Sequence, residues 1–215
     1  MTEAEWLECR DPQKMLDFLR GKASNRKLRL FLVASCLRAL EHFYLPELQE
    51  AVEWGELYTD GHATEEDLAP ARETVVVWMG EMCETLNNLA GAVAFTVNRG
   101  ALNVEAGQEA VRLITAMYQV GIEDSSGQED YPAQCHFLRD LFAFRPVFLD
   151  PAWLTPSVKA VAQGLYEAHR FEDLPILADA LEEAGCASRE VLEHCRSPGP
   201  HVRGCWVVDL ILGKG

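Results

Sequence analysis

The chain has 215 residues, of which 48% are hydrophobic and 25% are charged, and its formal net charge is −15 at pH 7. This hydrophobic content is enough for one large folded core or two small ones, which argues against disorder of the whole chain. Because so acidic a protein repels phosphate groups and anionic lipids at long range, we expect neither nucleic acid nor a membrane as its partner.

The sequence carries no recognisable targeting segment. Residues 1–6 are acidic and lack the basic and apolar regions of a signal peptide. The most apolar stretch, residues 89–97, has about half the length that a membrane-spanning helix requires. We therefore expect a cytoplasmic protein. In that reducing compartment its cysteines should be mostly free thiols, and Cys36 and Cys83 should be buried because each has apolar neighbours.

Capping signals and the spacing of apolar residues predict helices throughout the first half of the chain. Thr2 and Glu5 have the spacing of a capping box, and Pro12 suits the first position of a helix. Apolar residues between positions 30 and 44 recur at helical spacing on more than one face, which predicts a central helix. Further helical segments are predicted at residues 46–60, 65–97 and 104–120, and a break near Gly80 or Gly91 is expected within the second of them.

A polar stretch containing Ser125, Ser126 and Gly127 is the best candidate for a linker. It divides the chain into an N-terminal helical bundle at residues 1–122, a linker at 123–131 and a compact C-terminal helical module at 132–215. Helices of the module are predicted at residues 133–144, 157–169, 174–184 and 188–195.

The last apolar element, residues 205–212, has the pattern of either a buried strand or a buried helix. A lone strand would leave its backbone hydrogen-bonding groups unpaired, so we predict a helix. With this choice the predicted fold class is all-α, a helical bundle followed by a compact helical module.

The sequence lacks the motifs of several common active sites. The patterns GxGxxG, GxxxxGK, GxSxG and HExxH do not occur, and no histidine follows a glutamate by three residues. These absences favour a non-catalytic protein. An enzyme whose catalytic residues are dispersed along the chain remains the alternative.

Cysteine and histidine residues are concentrated near the C-terminus, at Cys186, His194, Cys195, His201 and Cys205. On a helix His201 and Cys205 would share one face, and the rigid turn at residues 197–200 could bring Cys195 towards them. Four such ligands would suit a tetrahedral zinc ion, with Cys186 as the fourth. The spacing matches no standard zinc finger, which favours buried thiols and a capping histidine. The sequence therefore predicts no cofactor, with zinc as the alternative.

Three further residues of the C-terminal segment have predicted structural roles. Asp209 lies among apolar residues, so we expect an ion pair with Arg203, Arg196 or Arg145. A perturbed carboxylate at this position would be the catalytic alternative. Trp206 should anchor the last element against residues 174–195, because burial of an indole is strongly stabilising.

A run of basic residues without an intervening acidic residue extends from Arg20 to Arg38. Such a basic segment could contact an anionic partner. In a molecule with so negative a net charge, we expect instead that it pairs with the protein's own acidic residues between positions 47 and 60.

Distinctive motifs occur near both ends of the chain. EAEW stands at residues 3–6 and FLRGKAS at 18–24, and the later motifs are RPV at 145–147, DPAWLT at 150–155, LPILADAL at 174–181 and GPHVRGCWVVD at 199–209. In these motifs the chain resembles a family of paralogous proteins from planctomycete bacteria. The resemblance leaves out the middle of the chain, roughly residues 44–130, and it implies no activity.

Two functions of different classes follow from these observations. The first is a non-catalytic interaction or regulatory protein, whose partner is another protein or a second copy of the chain. The second is a zinc-binding protein or metalloenzyme that uses Cys186, Cys195, His201 and Cys205.

Overall fold

The computed structural model describes residues 1–81, 83–121 and 130–214, and it confirms the all-α prediction for them. These residues form twelve α-helices and two short 3₁₀ helices, and they contain no strand. The chain divides into two compact units, Met1–Leu138 and Arg139–Gly215. Nearly all of the predicted linker at 123–131 lies outside the described residues, so the linker stays a prediction.

The first unit contains seven complete helices and most of an eighth. They are α1 (Glu3–Glu8), α2 (Pro12–Phe18), α3 (Asn25–Leu40), α4 (Pro46–Thr59), α5 (Ala69–Glu81), α6 (Glu84–Thr96), α7 (Val104–Gly121) and α8 (Tyr131–Leu141). Helix α3 packs against α4, α6 and α7, and α6 also packs against α4, α5 and α7. These two helices therefore form the centre of the unit.

Local capping explains where the first helices begin. Thr2 and Glu5 form the predicted capping box, in which the backbone N–H of Thr2 donates to Oε2 of Glu5 at 2.7 Å. Asp11 caps α2 ahead of Pro12, and the Ser24 hydroxyl accepts the backbone N–H of Lys27 at the start of α3. Each cap satisfies backbone donors that the first turn of a helix leaves without partners.

Helix α3 is the central helix that its apolar pattern predicts. Residues 28–36 are all buried, including the charged residue Arg29. The Arg29 guanidinium donates from Nη1 to the carbonyl oxygens of Thr96 at 2.6 Å and Asn98 at 3.0 Å. The last carbonyl groups of a helix lack intrahelical donors. Arg29 supplies donors to such groups at the C-terminal end of α6 and so connects α6 to α3.

The basic segment pairs with the protein's own carboxylates, and one of these pairs involves the predicted acidic range. Arg26 lies 3.1 Å from the buried carboxylate of Asp60, which ends the predicted acidic range. Arg38 lies 2.7 Å from Glu41, outside that range. The first contact joins α3 to the end of α4, so part of the basic segment has an internal structural role.

The burial prediction is confirmed for one of its two cysteines and wrong for the other. Cys36 is fully buried in α3, and burial raises the pKa of its thiol to about 12. Cys83 is exposed, because it is the N-cap residue of α6 at the break that follows α5. Its apolar neighbours in sequence do not place it in the core.

The second unit begins with the end of α8 and packs four further helices around one apolar core. They are α9 (Pro156–Glu167), α10 (Leu174–Glu183), α11 (Arg189–Cys195) and α12 (Trp206–Leu212), with 3₁₀ turns at Pro151–Trp153 and Phe171–Asp173. The last apolar element is a helix, as predicted, and it packs against α9 and α11. Trp206 is buried in this core, which agrees with its predicted role as an anchor.

Candidate metal centre

Four side chains with metal-binding atoms converge in the second unit. Asp140 comes from the last turn of α8, His194 from the last turn of α11, His201 from the following loop, and Cys205 from the residue before α12. One ligand atom from each residue lies within 4.8 Å of the others. The group brings together segments that are more than fifty residues apart in the chain.

The loop between α11 and α12 determines the positions of two of these residues. The dipeptides Ser197-Pro198 and Gly199-Pro200 restrict its backbone, since proline fixes its own φ angle and limits the residue before it. Gly204 has a φ of +92°, a conformation that favours glycine. The backbone N–H of Cys205 then donates to the carbonyl oxygen of Val202 at 3.0 Å. This tight turn places Cys205 next to the end of α11.

Asp140 is the hub of the group, and both of its carboxylate oxygens accept hydrogen bonds. Its Oδ1 lies 3.1 Å from Nε2 of His194 and 2.5 Å from Nδ1 of His201. Its Oδ2 accepts the backbone N–H of Val202 at 2.8 Å. Burial acts to raise the pKa of Asp140, but the hydrogen bonds from the two histidines outweigh it and lower the pKa to about 2. The carboxylate is therefore charged although it is buried.

His201 pairs with Asp140 through one ring nitrogen and with the loop through the other. Its Nε2 lies 3.3 Å from the carbonyl oxygen of Ser197. Burial acts to lower the pKa of His201, but the hydrogen bond and charge of Asp140 outweigh it and raise the pKa above its ordinary value. Both ring nitrogens face acceptors, so the geometry suits an imidazolium in the metal-free protein.

His194 differs from His201 because one of its ring nitrogens faces a hydrogen-bond donor. The indole Nε1–H of Trp206 donates to Nδ1 of His194 at 3.1 Å, and the two rings lie 4.8 Å apart. An indole nitrogen only donates, so Nδ1 carries no proton in this arrangement. The proton of the neutral ring therefore sits on Nε2, which donates to Asp140.

Cys205 completes the group with a sulfur atom. Its Sγ lies 3.2 Å from Nε2 of His194, and the side chain is fully buried. Burial raises the pKa of Cys205 well above its ordinary value, and the charge of Asp140 adds to the effect. Without a metal, Cys205 is therefore a neutral thiol beside a carboxylate.

The group only partly matches the ligands proposed from the sequence. It contains His201 and Cys205, whereas Cys186 and Cys195 lie buried in the apolar core and are not members of it. Asp140 was not foreseen, and His194 was not among the four proposed ligands. The signal for Asp140 was a carboxylate on a helix whose apolar residues Phe137, Leu138 and Leu141 are buried.

The other predicted structural residues lie close to this group along the chain. Asp209 is buried in α12, as expected. Arg196 pairs with Asp179 and Glu182, and Arg145 pairs with Glu190. Arg203 is also buried and lies over the ring of Tyr166, with 4.5 Å between its Cζ atom and the ring centroid. The ion pair between Asp209 and an arginine stays a prediction.

The donor set consists of one carboxylate oxygen, two imidazole nitrogens and one sulfur. Each of these ligand types binds zinc in proteins. Comparison of the chain with protein-family models, curated proteins and solved structures gave no match. Among the described residues, no helix has both the length and the apolar character that crossing a membrane requires.

Proposed function

We propose that the chain is a non-catalytic metal-binding protein whose second unit holds one zinc ion between Asp140, His194, His201 and Cys205. The observation that carries the proposal is the convergence of these four ligand atoms within 4.8 Å of one another. Zinc bound to four protein ligands holds neighbouring ligand atoms roughly 3.4–3.7 Å apart. Loading the site therefore requires changes of roughly 1 Å in these separations.

The surroundings of two ligands support the proposal. A metal-bound histidine usually donates its second ring N–H to a carbonyl or carboxylate group. Nε2 of His201 lies 3.3 Å from the Ser197 carbonyl oxygen, so its Nδ1 is oriented towards a metal. The backbone N–H of Val202 holds Oδ2 of Asp140 at 2.8 Å and leaves Oδ1 facing the group.

The number of ligands favours a structural role over a catalytic one. Catalytic zinc sites keep one position for water or substrate, whereas structural sites use four protein ligands. Here the four ligands come from α8, α11, the loop and the start of α12. A zinc ion would therefore tie together the segments that enclose the core of the second unit.

The test is the metal content of the full chain after zinc loading and removal of unbound ions. We expect one zinc per chain in the wild type and a large loss in Cys205→Ala and in His201→Ala. The matched control is Cys186→Ala, which removes a buried thiol of the same unit from outside the group. Zinc retained equally by all variants, or absent from the folded wild type, would contradict the proposal.

A second candidate function is self-association through the first unit. Val76 and Val77 on α5 are 67% and 57% exposed, and Met79 is 42% exposed. Neighbouring exposed apolar side chains are a common feature of protein interfaces. Sedimentation of the wild type and of a Val76→Asp, Val77→Asp variant tests this function. We expect a concentration-dependent dimer that the variant abolishes, and a wild type that stays monomeric would contradict it.

A further inference from the structure

We infer that Trp206 is a latch on the metal centre. Its hydrogen bond to His194 must break before His194 can bind zinc as the fourth ligand. The inference rests on the proposed function. It adds that zinc binding changes a contact made by the first residue of α12. It is carried by the hydrogen bond from Nε1 of Trp206 to Nδ1 of His194, at 3.1 Å.

The hydrogen bond fixes which nitrogen of His194 carries the proton. The indole N–H is a donor without acceptor capacity, so it requires a bare Nδ1 and leaves the proton on Nε2. Nε2 is the atom that faces Asp140 at 3.1 Å and Cys205 at 3.2 Å. The nitrogen turned towards the candidate metal centre is therefore blocked by its own proton.

Zinc binding at His194 requires the opposite arrangement. A neutral imidazole that binds a metal through Nε2 carries its proton on Nδ1. That proton would point at the indole N–H of Trp206, so two donors would face each other. Either the indole moves away or the imidazole ring turns, and in both cases the present hydrogen bond is lost.

The position of Trp206 gives this exchange a structural consequence. Trp206 is the first residue of α12 and directly follows the ligand Cys205. Its side chain is 7% exposed and belongs to the core that α12 shares with α9 and α11. Zinc loading would therefore remove a hydrogen bond of a buried anchor of α12, and the metal-free and zinc-bound forms would differ beyond the ligands themselves.

Zinc affinity of the Trp206→Phe variant tests the inference. Phenylalanine keeps an aromatic ring in the core but lacks the N–H group that donates to Nδ1 of His194 in the metal-free protein. The substitution removes one net hydrogen bond from the metal-free state alone. We therefore expect zinc to bind the variant about fivefold more tightly than it binds the wild type. The control is Trp153→Phe, at a partly buried tryptophan packed against the same core, for which we expect unchanged affinity.

A second measurement on the wild type does not depend on the stability of a variant. Nitrogen-15 chemical shifts of the histidine rings report which nitrogen carries the proton. We expect the proton of His194 on Nε2 without zinc and on Nδ1 with zinc.

The outcomes separate the latch from the metal site itself. Zinc binding with equal or lower affinity in Trp206→Phe, or an Nε2 proton that persists after zinc loading, would overturn the latch and leave the zinc site standing. No zinc binding by wild type or variant would overturn the proposed function, and the latch with it. If Trp206→Phe does not fold, the nitrogen-15 measurement on the wild type decides.

Discussion

The imidazole Nδ1 atom of His201 lies 2.5 Å from the Oδ1 atom of Asp140, although 61 positions separate the two residues in the chain. This contact places the ring of His201 beside a buried carboxylate. The pKa of Asp140 is lowered to about 2 although burial opposes the charge, since both histidines hydrogen-bond to it. The metal-free group is therefore a compensated cluster, compatible with a folded second unit.

Removal of His201 should destabilise the metal-free protein. In the presence of a strong chelator, His201→Ala leaves the buried Asp140 carboxylate without its closest partner. We expect a loss of about 3 kcal/mol, as for other broken buried ion pairs. Hydrogen exchange of the α12 amides measures the effect in the second unit. The control Ser197→Ala removes an exposed hydroxyl near His201, and a loss no larger than that of this control would contradict the prediction.

Gly55 should not tolerate a side chain, because α4 and α6 approach closely there. A Cβ atom at Gly55 would lie 2.8 Å from the carbonyl oxygen of Thr96. We expect Gly55→Ala to lower stability by about 1–3 kcal/mol, because overpacking outweighs the better helix propensity of alanine. The matched control is Gly164→Ala in α9, where nothing lies within 4 Å. It should raise stability by up to about 1 kcal/mol in urea unfolding. A neutral or stabilising Gly55→Ala would refute the close packing.

Arg29 should be essential for the packing of α3 against the end of α6. Arg29→Met keeps an unbranched apolar side chain but leaves the carbonyl groups of Thr96 and Asn98 without their donor. We expect unfolding to become easier by about 3 kcal/mol, the cost of buried unsatisfied groups. Arg112→Met, at an exposed position of α7, serves as the control and should cost much less. Equal effects of the two substitutions would contradict this role.

Asp130 should make the first unit less stable as the pH rises. Burial raises its pKa above the ordinary value of 3.8, and the hydrogen bond from Gln134 and the charge of Arg38 only partly oppose this. The folded protein therefore holds the proton of this carboxyl more tightly than the unfolded chain does. As the pH rises from the ordinary pKa to the raised pKa, the contribution of the group to stability falls.

The Asp130→Asn variant does not titrate at this position. Relative to wild type it should gain stability as the pH rises above 3.8, the ordinary pKa of the group. Thermal unfolding as a function of pH measures the difference. Asp67→Asn should show the opposite trend, because hydrogen bonds from Thr64 lower the pKa of Asp67. A pH-independent difference for Asp130→Asn would show that its pKa is not raised.

Much of the fold could be predicted because the signals are local. Helix caps such as Thr2 with Glu5, and the apolar faces of α3, depend on neighbours within a few residues. The choice of a helix for the last element followed from the lack of a partner strand. The exposure of Cys83 could not be predicted in this way, because it depends on where the chain breaks between α5 and α6.

The candidate site was only half predictable from the sequence. His201 and Cys205 were found because cysteine and histidine are dense near the C-terminus. His194 and Cys195 are adjacent on α11, so their side chains point in different directions, and the sequence does not say which one faces the group. Asp140 lies 54 residues before His194, and only the packing of the unit brings the two together.

X-ray absorption at the zinc edge of the zinc-loaded full chain is the most direct test of the central claim. We expect one sulfur ligand at about 2.3 Å and three nitrogen or oxygen ligands at about 2.0–2.2 Å. The sulfur contribution should disappear in any zinc that Cys205→Ala retains and persist in the control Cys186→Ala. A wild-type spectrum without sulfur, or with more than one sulfur ligand, would contradict a centre formed by Asp140, His194, His201 and Cys205.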